Sequence, residues 1–222
     1  AILLNDASFE QDIRELLMAF YPGETFTHKE EEAGEAELIV RGVRDGNSFS
    51  LDVTPVKKEA VHFALIYPDF SNRFETKNEI KQTLYRLLSA QTGRELPWGT
   101  LTGIRPTKIA LTKLYDGWTD EQIETYMRET YFTSKEKIDL SIDVAERERR
   151  LLSTIDYENG YSLYVGIPFC PSICLYCSFS SYPLKQWKNR VNQYLEALCK
   201  EIKEVAAIMK AKGRRYVHIN LL

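Results

Sequence analysis

The sequence lacks the features of several large classes of protein. No apolar run approaches the roughly 18 residues that a transmembrane helix needs, and the first residues do not have the pattern of a secretory signal peptide. The net charge of −3 and the pI of about 5.8 argue against a broad basic surface for nucleic acid or anionic lipid. We therefore expect a cytoplasmic protein without a membrane span, for which nucleic acid is an unlikely partner.

Cysteine and histidine are scarce as well, with four and three residues respectively. Three of the four cysteines nevertheless fall within eight residues, at Cys170, Cys174 and Cys177. In a reducing compartment such a cluster favours metal binding or redox chemistry over a disulfide. The fourth, Cys199, lies beside the apolar stripe of a predicted helix, so we predict that it is a small buried side chain.

The first 95 residues predict a small α+β domain. The opening 22 residues have the pattern of a short strand followed by an amphipathic helix. Further along, Asp45-Gly46 is a tight-turn signal that predicts a hairpin, and Gly93 ends a second predicted helix. The predicted elements are a strand and helix over 2–22, a strand with an acidic turn over 29–35, strands over 38–43, 49–53 and 61–67, and a helix over about 80–93.

Residues 96–155 predict a helical linker domain. The stretch LPWGTLTGIRP is a connector punctuated by glycine and proline, and Pro106 suits the first turn of a helix. Two capping boxes predict that further helices begin near residues 120 and 134. The boxes are Thr119 with Gln122 and Thr133 with Glu136.

Residues 156–222 predict the opening of a parallel βαβ array. An apolar strand over 161–167 leads directly into the cysteine loop, a long helix follows Pro183, and a second strand begins near residue 216. One such unit cannot bury both faces of a parallel sheet, so we expect the array to continue in a longer protein. The predicted apolar face of the helix consists of Val191, Tyr194, Leu195, Leu198, Ile202, Val205 and Met209.

The cysteines have the spacing C-x3-C-x2-C, and no histidine lies inside their loop. Three thiolates can hold three irons of a cubane cluster, whereas a structural zinc site takes four protein ligands. The fourth iron would then keep an open coordination position. In a (β/α) array the loops at the C-terminal ends of the strands carry the chemistry, and this loop follows the first such strand.

The run YVGIPFCPSICLYCSF, residues 164–179, resembles the YxHIPFCxxxCxYC stretch of oxygen-independent coproporphyrinogen III oxidases and their relatives, which are radical S-adenosylmethionine (SAM) proteins. LTGIRPTK, residues 101–108, ahead of a helical segment and after an α+β domain, resembles the HemZ-type branch. The resemblance implies an α/β and α+β fold. In it, residues 156–222 form the first βαβ part of a partial TIM-like radical SAM barrel.

The resemblance also implies the cofactors. Cys170, Cys174 and Cys177 would bind a [4Fe–4S] cluster whose unique iron is chelated by SAM. Tyr176 would pack near the adenine, and Tyr164 would lie beside the bound SAM. Reduction by an electron donor protein would produce a 5′-deoxyadenosyl radical that takes hydrogen from a propionate side chain. Loss of CO2 and one further electron leaves a vinyl group, so the implied reaction converts coproporphyrinogen III, the tetrapyrrole partner, to protoporphyrinogen IX.

Two departures from that pattern leave alternatives open. Gly166 stands where the oxidases usually have histidine, and Phe179 stands where they often have a further cysteine. Both favour a haem-binding carrier that keeps the cluster, and a radical SAM enzyme acting on another substrate is the second alternative. For the residues themselves, the open alternatives are an adventitious zinc or thiol cluster, a packing role for Tyr176, and a core-facing strand position for Tyr164. We expect the 222-residue chain alone to be inactive.

Overall fold

The structure is a computed structural model that describes residues 1–56, 61–103, 105–156, 159–179 and 181–221, of which 217–221 are described by their backbone. The strands are β1 Ile2–Leu4, β2 Leu38–Asp45, β3 Ser48–Pro55, β4 His62–Ile66, β5 Gly160–Val165, β6 Phe169–Cys170, β7 Tyr182–Pro183 and β8 Arg215–Leu221. The α-helices are α1 Glu10–Phe20, α2 Arg73–Thr92, α3 Thr107–Tyr115, α4 Asp120–Tyr131, α5 Lys135–Leu152, α6 Leu184–Trp187 and α7 Val191–Ala211. Short 3-10 segments are Ala7–Phe9, Glu30–Glu35 and Lys188–Arg190.

The chain divides into two compact units, Ala1–Glu148 and Arg149–Leu222. The mixture of helices with a four-stranded sheet is consistent with the predicted α+β class. The finer division into domains 1–95, 96–155 and 156–222 stays a prediction. Among the described residues, no helix is both long enough and apolar enough to cross a membrane.

The sheet of the first unit has the order β1-β2-β3-β4, with β1 parallel to β2 and the other pairs antiparallel. The predicted hairpin is confirmed, because β2 and β3 meet at a turn in which Gly46 has a φ of +57°. One face of the sheet packs against α1 and α2, whose apolar stripes follow the predicted helical spacing. The buried core consists of Ile2, Phe9, Ile13, Leu16, Leu17, Phe20, Val40, Phe49, Leu51, Val53, Ile80, Leu84, Tyr85 and Leu88.

The strand predicted over 29–35 is wrong, because Glu30–Glu35 forms a 3-10 helix. This segment has no alternating apolar residues to bury, so nothing favours its pairing with a sheet. A helical turn instead lets Lys29 reach the carboxylate of Glu32 at 2.6 Å. The acidic segment therefore lies on the surface as a tight turn.

Helices α3, α4 and α5 surround a second core, which consists of Ala110, Leu111, Leu114, Ile123, Met127, Ile138 and Ala145. The capping box at the start of α4 is confirmed, with the Gln122 N–H donating to Thr119 Oγ1 at 3.3 Å and the Thr119 N–H donating to Gln122 Oε1 at 2.9 Å. The second predicted box is wrong. Ser134 Oγ accepts from the Lys137 N–H at 3.4 Å, while the Thr133 side chain is buried and its hydroxyl has no hydrogen-bond partner among the described residues.

The second unit contains the predicted parallel βαβ arrangement. β5 pairs in parallel with β8 from Gly160↔Arg215 to Val165↔Leu221, and α7 connects them. The strand predicted over 216–222 is confirmed as far as Leu221, and Leu222 lies outside the described residues. Among the described side chains of this unit, Val165 alone is buried.

Candidate metal centre

The cysteine loop begins where β5 leaves the sheet, at Gly166. A second, very short parallel ladder between β6 and β7 closes the base of the loop. Next to this ladder the Tyr182 N–H donates to the carbonyl of Pro168 at 2.7 Å. The three clustered cysteines therefore lie in one closed loop at the C-terminal end of a parallel strand, which is the position expected for chemistry in such an array.

The three thiols of the loop are free, with Cys174 exposed and Cys170 and Cys177 half-buried. The Cys177 N–H donates to the carbonyl of Cys174 at 3.0 Å, which holds these two residues in one turn. No group of three His, Cys, Asp or Glu side chains in the described part of the chain is arranged to hold a metal ion. By its chemistry, a donor set of three free thiols in one loop, without a fourth, still fits a cluster that takes three protein ligands.

The loop provides an uncharged environment. From Asn159 to Leu184 the sequence contains no Asp, Glu, Lys or Arg. Around the cysteines, several large apolar side chains are exposed, and Leu175 is fully so. They are Ile173, Leu175, Tyr176 and Phe179. Such an apolar surround controls solvent access to a metal centre and thereby its reduction potential.

The two tyrosines predicted to meet SAM lie on the surface. Tyr176, in the turn between Cys174 and Cys177, has 90% of its surface exposed, and Tyr164, on β5, has 58%. Val165, the next residue on β5, is buried, so the two side chains lie on opposite faces of the strand. The alternative that Tyr164 faces a core stays open. A ring atom of Tyr164 lies 3.7 Å from the position that a Cβ on Gly166 would take. The roles of both tyrosines toward SAM stay predictions.

Tyr194 contacts the start of the loop, and the sequence pattern did not reveal this. Its hydroxyl donates to the carbonyl of Gly166 at 2.5 Å. Its ring meets that of Phe169 edge-on, with centroids 5.2 Å apart and an interplanar angle of 90°. Helical spacing placed Tyr194 on the apolar stripe of α7, but a contact across 28 residues leaves no local signal in the sequence.

The prediction that Cys199 is buried is wrong, because its side chain is exposed. It lies on α7, which has no buried residue. The amphipathic pattern identified the helix correctly but could not tell how much of the apolar stripe is covered. Cys199 is thus a free thiol outside the candidate centre and serves as an internal reference in experiments on the other three.

Comparison with curated proteins found a relative of part of the chain. The chain is similar to a curated protein of Bacillus subtilis (strain 168), the "Oxygen-independent coproporphyrinogen-III oxidase-like protein HemZ". The identity is 33% over 161 residues, which are 71% of this chain and 32% of the relative, so the chain spans about a third of the relative's length. No family model and no solved structure matches the chain. The predicted resemblance is confirmed as a similarity: over 161 aligned residues the chain is similar to HemZ.

Proposed function

We propose that the protein is a radical SAM oxidoreductase of the HemZ type, which converts coproporphyrinogen III to protoporphyrinogen IX by oxidative decarboxylation of two propionates. In this proposal residues 156–222 open a partial TIM-like barrel, and an electron donor protein is the redox partner. The proposed location is the cytoplasm.

One observation carries the proposal: the C-x3-C-x2-C loop follows the first strand of a parallel βαβ unit in a chain similar to HemZ. Loop position, cysteine spacing and the similarity to HemZ all favour the same chemistry. A zinc site would require a fourth protein ligand near the loop, and Cys199 lies on α7, outside it.

The chain's own residues would bind and orient the reactants. Cys170, Cys174 and Cys177 would hold the cluster as thiolates, and the exposed ring of Tyr176 is free to pack on an adenine. The uncharged, apolar loop would exclude water once the ligands cover it. When bound, the cluster and SAM supply the radical that removes a hydrogen atom from the substrate.

A haem carrier is the second candidate function, and Gly166 and Phe179 favour it. A Cβ at Gly166 would meet Tyr164 at an ordinary contact distance of 3.7 Å and nothing nearer. Neither crowding nor a left-handed backbone therefore requires glycine at this position. Phe179 has 70% of its surface exposed, so packing does not require it either. A β-carbon at Gly166 and a smaller side chain at Phe179 should therefore both leave the fold intact.

The test uses the full-length protein, reconstituted anaerobically with iron and sulfide. It is mixed with dithionite, SAM and coproporphyrinogen III, and 5′-deoxyadenosine and protoporphyrin are followed together by chromatography. The proposal expects both products in step. Deoxyadenosine alone would point to another substrate. Stoichiometric haem binding with neither product would establish the carrier.

Cysteine variants test the ligand assignment separately. Cys170→Ala, Cys174→Ala and Cys177→Ala should each abolish the visible absorption of the reconstituted cluster. Cys199→Ala is the matched control and should keep that absorption, because its thiol lies on α7 and not in the loop. Equal spectra for all four variants would contradict the assignment.

A further inference from the structure

Tyr194 connects the first turn of the long helix α7 to the segment that leads into Cys170. Its hydroxyl donates to the carbonyl of Gly166, and its ring contacts Phe169 edge-on. The two contacts lie at the two ends of the four-residue segment 166–169, which directly precedes the first cysteine. A single side chain therefore holds both ends of the approach to the loop.

The described residues give this segment, 166–169, few other restraints. Gly166 lies beyond the described β5–β8 ladder, and residues 166–168 belong to no helix or strand. Pro168 has no N–H to donate, and its carbonyl is held by the Tyr182 N–H at 2.7 Å. The hydroxyl of Tyr194 supplies the partner that the Gly166 carbonyl would otherwise need from water.

We infer that Tyr194 is a positioning residue: through Gly166 and Phe169 it fixes where Cys170 enters the loop, and so where the first cluster ligand stands. The inference rests on the proposed function in so far as Cys170 is a cluster ligand. Cys174 and Cys177 share a turn of their own, so Tyr194 acts on one ligand and not on all three.

The first test needs no metal. In the metal-free full-length protein, alkylation of each cysteine is followed by mass spectrometry for the wild type and for Tyr194→Phe. Loss of the hydroxyl should speed labelling of Cys170 about two- to tenfold, which is the range expected from one net hydrogen bond. Tyr194→Leu, which also removes the ring contact, should speed it further. Cys199, exposed on the same helix, should label at an unchanged rate.

Tyr182→Phe is the matched control. Tyr182 lies at the base of the same loop, and its ring meets that of Trp187 edge-on, with the ring centroids 5.3 Å apart. Its hydroxyl makes no hydrogen bond within the part of the chain that the structure describes. This variant should leave the labelling rate of Cys170 at the wild-type value, because it keeps the ring and loses no hydrogen bond to a described residue.

The second test uses the reconstituted protein, with loss of visible absorption to an iron chelator as the readout. Tyr194→Phe should lose the cluster several-fold faster than the wild type and Tyr182→Phe. An unchanged labelling rate of Cys170, or equal chelator rates in all three proteins, would overturn the positioning role. If the wild type takes up no iron while Cys170 still labels faster in Tyr194→Phe, the proposed function fails and the positioning of Cys170 by Tyr194 stands.

Discussion

The two compact units differ in how far their apolar side chains are buried. In the first unit, α1 and α2 cover one face of a four-stranded sheet, and α3 to α5 enclose a second core. In the second unit Val165 is the one buried residue among the described side chains, and the apolar stripe of α7 contains no buried residue. The first unit therefore has the packing of an independently folding domain, whereas the second has the topology of a βαβ unit with little core.

The first unit therefore contains most of the packing that stabilises the chain, whereas the second contains the candidate metal centre. Parallel strands are normally covered on both faces, and the described part of the second unit leaves large apolar side chains exposed around its cysteines. Substitutions in the first unit should thus act mainly on folding. Those in the second should act mainly on ligand binding.

The largest expected contrast is between two glycines. Gly99 has a φ of +57°, and a Cβ there would overlap the carbonyl oxygen of Tyr131. Gly99→Ala should therefore destabilise the first unit by about 3–5 kcal/mol. Gly166→Ala meets only Tyr164, at 3.7 Å, and should change stability by less than about 0.5 kcal/mol.

Thermal and urea unfolding of the two glycine variants measure this contrast. Equal effects would contradict the division of roles between the units. If Gly166→Ala leaves the free energy of unfolding unchanged, the double variant Gly166→His with Phe179→Cys becomes the next experiment. It tests whether these two departures from the oxidase pattern limit oxidase activity.

The next contrast compares two leucines on helices. Leu84 on α2 is fully buried, whereas Leu195 on α7 is 39% exposed. Leu84→Ala should lower the free energy of unfolding by about 2–5 kcal/mol because it leaves a cavity. Leu195→Ala should lower it by less than about 1 kcal/mol.

A tryptophan substitution makes that comparison specific to the first unit. In a Trp187→Phe background the remaining tryptophans, Trp98 and Trp118, both lie in the first unit. Urea unfolding followed by their fluorescence then reports that unit alone. A loss caused by Leu195→Ala as large as that caused by Leu84→Ala would show that α7 is part of the same cooperative core.

A smaller effect concerns how helices begin. Thr119 caps α4 in a capping box, whereas Arg190, at the corresponding position before α7, makes no capping hydrogen bond through its side chain. Thr119→Ala should destabilise the first unit by about 1 kcal/mol. Arg190→Ala should have almost no effect on α7. Helix content from circular dichroism and the unfolding midpoints check both, and a large effect of Arg190→Ala would contradict the comparison.

Much of the fold could be predicted from the sequence because its signals are local. The apolar spacing of Ile13, Leu16 and Phe20 predicted α1, and Asp45-Gly46 predicted the hairpin, each within a few residues of the observed bounds. The two failed predictions are local as well. At 29–35 a 3-10 helix forms in place of the predicted strand. At the start of α5 the side chain of Ser134, one residue after Thr133, accepts the capping hydrogen bond.

The candidate site could be located but not assembled from the sequence. Cysteine spacing marked Cys170, Cys174 and Cys177, because ligand spacing is a property of one short loop. The contact of Tyr194 with Gly166 joins residues far apart in the sequence, and the exposure of Cys199 depends on what covers α7. Tertiary packing decides this contact and this exposure, and the spacing of apolar residues along the sequence carries no information about how helices and loops pack.

The smallest expected effect concerns charge in the first unit. Hydrogen bonds from Ser8 and Arg44 hold the pKa of Asp6 below its ordinary value. Because the folded pKa is lowered, the Asp6 carboxylate stabilises the fold above its ordinary pKa, and this contribution disappears as the pH falls through the folded value. Asp6→Asn keeps a good capping side chain but loses the ion pair with Arg44, whose nitrogen lies 3.1 Å from the carboxylate.

Asp6→Asn should therefore lower the free energy of unfolding at pH 7 by a few tenths of a kcal/mol, since exposed ion pairs contribute little. The difference from the wild type should disappear as the pH falls through the lowered pKa of Asp6, and it should shrink in high salt, which screens the pair. Urea unfolding over an acidic pH series and at two salt concentrations measures this. A difference that persisted at low pH would mean that the two side chains differ as hydrogen-bonding groups at this cap and not through the charge of Asp6. The first unit would then depend on hydrogen bonding at helix starts and not on charge, as already expected for Thr119.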